Sequence, residues 1–113
     1  MILLIAMILA IIANALYIND TTAKMIELTN DENFKKAPED AFLRLESFWE
    51  SNKIPMEFSV GFKSSDRISE LILDLKEYIA TGNTAEARRV RALIADCASD
   101  ISRLERLSIE NLL

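Results

Sequence analysis

Hydrophobic and polar positions divide this chain sharply. Residues 1–18 carry no charged side chain, and only Asn14 and Tyr17 interrupt an otherwise apolar run. A helix of that length rises about 27 Å, close to the roughly 30 Å hydrocarbon core of a bilayer. The pattern therefore predicts a transmembrane signal-anchor helix over residues 1–18 and a helical domain over residues 19–113. Beyond Asn19 the apolar positions thin out, and Ala23, Met25, Ile26 and Leu28 supply one apolar side that continues the anchor helix into water. Thr29-Asn30-Asp31 offers side-chain acceptors that end one helix and begin another.

Helical spacing then recurs. Phe34, Ala41, Phe42, Leu45, Phe48 and Trp49 mark a second helix between Asn33 and Lys53, with Pro38 near its start, where a missing amide costs little. Ile54-Pro55 predicts its end, because a residue before proline avoids helical backbone angles. Met56, Phe58, Val60 and Phe62 alternate as in a strand, but the chain offers no partner strand, so Met56 to Lys63 is expected to be helix or an ordered connector. Ser64-Ser65-Asp66 has helix-cap chemistry, and Ile68, Leu71, Ile72, Leu75, Tyr78 and Ile79 follow as a third helix ending at Thr81-Gly82. Asn83 opens a fourth helix, with Glu86 completing a capping-box-like pair and Val90, Leu93, Ile94, Cys97, Ile101 and Leu104 as its stripe. The two helix–turn–helix passages echo each other weakly. Together they predict an all-α fold: an N-terminal transmembrane helix continuing into a small antiparallel bundle of two stacked helical hairpins, resembling tetratricopeptide packing in outline.

Two other readings of the first stretch compete with a retained anchor. Ala13-Asn14-Ala15 is the small-x-small pattern after which a signal peptidase cleaves, although no Lys or Arg precedes the apolar run. A core helix of a soluble protein would need wrapping on all sides by a chain too short to wrap it. Lys24 is the nearest downstream basic residue, beside Asp20 and Glu27, so no basic cluster holds that side in the cytoplasm. The C-terminal domain is accordingly expected outside the cytoplasm.

Charge and chemistry narrow the function by exclusion. All 13 basic and 18 acidic side chains follow Ile18, so the net −5 belongs to the domain. An acidic balance without a basic stripe argues against nucleic acid, and equally against a grip on anionic lipid. With no histidine and Cys97 as the single cysteine, no Ser-His-Asp site, Cys/His zinc site or intramolecular disulfide can be built. Cys97 lies at helical spacing with Val90, Leu93 and Ile94, as a buried small hydrophobe does. Ser64 and Ser65 beside Lys63 read as cap residues rather than a Ser-Lys pair, and Gly61 and Gly82, the only glycines, form no phosphate loop. No catalytic residue, cofactor or metal is therefore expected, and the chain is not expected to be an enzyme.

What remains is surface. Arg88, Arg89 and Arg91 crowd the start of the fourth helix, where the macrodipole disfavours cations by roughly 0.3–1 kcal/mol each. Ion pairs with Glu77, Asp74 or Glu70 across the hairpin would offset this; a basic patch receiving an acidic partner is the sharper alternative. The apolar tail Ser108 to Leu113 can dock on the bundle or on another chain. Arg88, Arg89, Arg91, Leu112 and Leu113 are thus the candidate interaction surface. Trp49 reads as a core aromatic, or else as one wall of a small pocket with Phe42, Phe58 and Phe62.

An N-terminal anchor, a helix ending in Phe48-Trp49, the run Ile68 to Ile79, and the close Glu105-Arg106-Leu107-Ser108-Ile109-Glu110-Asn111-Leu112-Leu113 follow one another in this chain. This order resembles domain-of-unknown-function family 4363, short membrane-anchored bacterial proteins, along nearly the whole chain. Many relatives carry a histidine ahead of the third helix; this chain has none, so no role of that residue passes to it. The resemblance implies a helical fold and a membrane location and adds no catalytic residue. The expected function is a non-catalytic interaction or scaffold module at the bacterial envelope, with a protein partner or self-association. The alternative is a ligand-binding or accessory subunit of an envelope enzyme or transporter.

Overall fold

A stretch with neither Gly nor Pro, charge-free as far as Asn19, forms one uninterrupted helix, α1, Ile2–Leu28. The computed structural model describes residues 1–112, with side chains through Asn111. Over these residues four more helices follow: α2 (Asp31–Lys36), α3 (Pro38–Val60), α4 (Phe62–Ala80) and α5 (Thr84–Leu112). Asn30 caps α2 by accepting from the Asn33 amide at 3.0 Å, and the acidic first turn and basic last turn of that short helix suit its dipole. Pro38 opens α3 where its missing amide was never needed.

Two glycines make the other turns. Gly61 (φ 89°) separates α3 from α4, and Gly82 (φ 72°) ends the α4 segment before Asn83. Both φ values lie where a Cβ is disfavoured, so these positions require glycine. The Asn83 side chain accepts from the Glu86 amide at 3.3 Å, while the Glu86 carboxylate turns to Arg89 rather than back to the cap.

The four long helices close into a ring: α1 lies against α3 and α5, and α4 lies against the same two from the other side. Each antiparallel hairpin thus stacks on the other, as the sequence predicted. Ile18, Met25, Leu45, Trp49, Met56, Ile68, Leu75 and Ile94 fill the centre. Register on α1 is set by polar pairs. Tyr17 donates to Asn52 at 2.7 Å, Ser59 donates to Asn14 at 2.7 Å, and Ser102 donates to Asn19 at 2.8 Å. Falling numbers on α1 meet rising numbers on α3 and α5, so both of those helices run toward the N-terminal end of α1.

Packing overrides several local expectations. Bundle contacts reach back across the 18/19 boundary, since Ala15 and Ile18 are core residues. On the following turns Ala23 and Ile26 are exposed, while Thr21, Thr22 and Met25 are buried. The Thr22 hydroxyl makes this possible by donating to the Ile18 carbonyl at 2.9 Å, which frees its methyl for the interior. Pro55 does not end α3. It sits on the exposed side, where the Ser51 carbonyl it deprives of a partner is open to water, while Met56 and Ser59 hold the next turn against the bundle. Consequently α4 starts at Phe62, and Ser65, expected in a cap, is a buried residue within its second turn.

Candidate functional site

At the end of the bundle remote from the start of α1, the three candidate arginines take three different roles. Arg89 pairs with Glu86 on its own helix at 2.8 Å, and that carboxylate raises the guanidinium pKa further. Arg88 is exposed. Arg91 is only 6% exposed: it donates to the Thr29 carbonyl at 3.1 Å and to the Asp31 carboxylate at 2.8 Å, and its guanidinium lies 4.6 Å from the Phe34 ring centre. It therefore ties the α1–α2 turn to α5 and meets the surface only as one wall of the cleft beside it. Hydrogen bonding and charge from Arg91 hold the Asp31 carboxyl below its usual range. The partners are Glu86 and Asp31, not the expected Glu77, Asp74 or Glu70; Glu70 pairs with Arg67 on α4.

Sequence spacing contained the signal for Arg91. Ala87, Arg91, Ile94, Ala98 and Ile101 are all buried at three-to-four-residue intervals, so the arginine occupies a core position of α5. Leu104, assigned to the stripe from the sequence, is exposed instead. Beside Arg91 a cleft of about 310 Å³ is lined by Phe34, Lys35, Tyr78 and Arg88, among others. With Arg91 matched by Asp31, Lys35 and Arg88 are the exposed cations at its edge, an arrangement that accepts a carboxylate with some apolar surface beside it.

The pocket imagined around Trp49 is not assembled. Trp49 and Phe42 are buried, and the indole donates to Ser69 at 2.9 Å, whereas Phe58 and Phe62 stand out from the α3–α4 turn, 88% and 71% exposed. Cys97 is half-buried, and burial pushes its thiol pKa up, so it stays protonated at neutral pH. Among the described residues no cluster of His, Cys, Asp and Glu is suited to a metal ion. Leu113 lies outside the described residues, as does the side chain of Leu112.

The bundle and its apolar leading helix coincide with one family model, Domain of unknown function (DUF4363), which matches residues 5–112. The chain belongs to the DUF4363 family. The match takes in the apolar helix as well as the bundle, so the DUF4363 unit includes both. No curated protein and no solved structure matches the chain. Within this DUF4363 chain, α1 provides a helix long and apolar enough to cross a membrane, with 11% of its most apolar window buried in the bundle.

Proposed function

We propose that this protein is a single-pass, membrane-anchored, non-catalytic interaction module of the bacterial cell envelope, with its bundle on the extracytoplasmic side. One observation carries the reading: α1 is a single helix whose first turns expose Ile2, Leu3, Leu4, Ile5, Leu9 and Ile12 while its later turns supply Ile18 and Met25 to the core. Water is a poor solvent for the first half, and lipid a good one. Retention of the helix is favoured over cleavage after Ala15, since the folded bundle uses Ala15 and the Asn14–Ser59 bond that cleavage would remove. Lys35 and Arg88 at the far end are the contact offered to an acidic protein partner.

The test is a C-terminal tag on the full chain in a bacterial host, followed through carbonate washing of membranes and protease treatment of intact protoplasts. The expected result is a full-length, carbonate-resistant protein whose tag is digested from outside. A shortened protein in the medium supports secretion instead, and a protected tag reverses the orientation.

A further inference from the structure

Outside α1 the two most exposed large apolar side chains among the described residues, Phe58 and Phe62, stand together at one end of the bundle, whereas Leu43 and Leu73 are exposed singly elsewhere. Phe58 and Phe62 flank Gly61 at the α3–α4 turn, Ile54 lies one helical turn before Phe58 on the same face of α3, and Leu104 and Leu107 are exposed on α5. Aromatic side chains left this open in water forgo the gain that cover by another apolar surface would give. Their height is fixed by hydrogen bonds. Ser59, between the two phenylalanines, donates to Asn14 of α1 at 2.7 Å. On the other side Arg91 meets Thr29 and Ser102 meets Asn19, so α5 runs antiparallel to α1 and Leu107 comes level with about Asn14. This is the level at which α1 leaves the bundle.

We propose that the α3–α4 turn is a second membrane contact, in which Phe58 and Phe62 enter the boundary between headgroups and acyl chains of the bilayer that α1 crosses. The inference rests on the reading of α1 as a span. Its chemistry follows from the apolar run itself, which ends only at Ile18. Leu16, 59% exposed within that run, faces outward two residues beyond Asn14. A bilayer that covers the run as far as Leu16 has already passed the level of Asn14 and covers both phenylalanines. Glu57 and Lys63 bracket the turn with opposite charges, and Glu105, Arg106 and Glu110 lie at the same end on α5, so cations are not in excess there and the contact does not require anionic lipid. Lys63 is exposed, with a stem long enough to lift its ammonium to the headgroups.

Tryptophan scanning of the full chain reconstituted in phosphatidylcholine vesicles tests this. The parent has one tryptophan, the buried Trp49, which supplies the baseline. Phe58→Trp and Phe62→Trp change exposed positions and leave the core intact. Both added tryptophans are expected to emit at shorter wavelength than in water and to be quenched by lipids brominated near the headgroup end of the acyl chain. Leu73→Trp, exposed on α4 about 16 Å further along the bundle, is expected to be unquenched. Leu9→Trp, on the exposed part of α1, reports the span separately through quenching by deeply brominated lipid. Quenching at residue 9 without quenching at 58 and 62 overturns the turn contact and leaves the span intact. Absence of quenching at all three overturns both. Short-wavelength emission at 58 and 62 without quenching means that protein covers the turn, and likewise overturns the lipid contact.

Discussion

Ile18 and Leu16 stand two residues apart in one apolar run, yet the structure gives them opposite surroundings: Ile18 is 0% exposed, in the middle of the core, and Leu16 faces outward. A pure tether would treat their loss alike. Ile18→Ala removes three buried carbons, about 2.4 kcal/mol at roughly 0.8 kcal/mol per methylene. The space left between α1, α3 and α5 adds a cavity term, bringing the expected destabilisation to about 3–4 kcal/mol. For a domain of this size that corresponds to a fall in Tm on the order of 15 °C. Leu16→Ala is expected to change bundle stability by less than about 0.5 kcal/mol. Both variants are read by thermal unfolding of the full chain in detergent micelles, following helical circular dichroism together with Trp49 fluorescence. Equal small effects at both positions would refute the conclusion that the bundle core begins within the apolar run.

Three further outcomes are expected. Pro55→Ala restores an amide for the Ser51 carbonyl within α3; roughly 3 kcal/mol for proline in a helix, less about 0.4–1 kcal/mol regained by the unfolded chain, puts the gain near 2 kcal/mol, and an unchanged or lower Tm would contradict helical continuity there. Arg91→Met keeps an apolar stem but leaves the Thr29 carbonyl without its charged donor, an expected loss of about 2 kcal/mol in denaturant titration, against near zero for the exposed Arg88→Met. Because Arg91 holds the folded pKa of Asp31 below its unfolded value, the stabilisation from that carboxylate is complete above about pH 4 and is lost as pH falls through the lower, folded value. Asp31→Asn should therefore melt below the parent at pH 7, with the gap closing on acidification; a gap that widens in acid would reverse the assignment.

The sequence made the helices and the hairpin turn at Gly82 and Asn83 legible because apolar periodicity, a glycine and a cap all agree there. It misled where a residue type stood for a location. Thr21 and Thr22 look like interruptions, yet the Thr22 hydroxyl is satisfied within α1 and both residues pack inward. Phe58 and Phe62 look like core and are surface, which a count of hydrophobic positions cannot reveal when lipid is an available solvent. Pro55 looks like a stop, but local preference yields when the following turn has Met56 to bury and Ser59 to pair. Arg91 looks like part of a charged patch because its neighbours are; only its phase with Ala87 and Ile94 marks it as interior.

These features bear on how the module would work as an anchor. A flexible tether leaves a bundle free to tumble above the bilayer, whereas α1 has no Gly, Pro or turn between Ile2 and Leu28 at which to bend. Nor can it readily slide. Moving α1 by one residue would separate Asn14, Tyr17 and Asn19 from Ser59, Asn52 and Ser102 together, and each half-buried polar group left unpaired costs on the order of 1 kcal/mol. Those three polar residues therefore fix where the bundle sits along α1. From Asn14 to Thr29, where Arg91 closes the far end, α1 rises about 23 Å, so the cleft edged by Lys35 and Arg88 is held at a fixed height above the turn that carries Phe58 and Phe62. With α1 across a bilayer as proposed, the far end of the bundle is held at one height and in one orientation, which is what the proposed scaffold role would need and a flexible tether would not give.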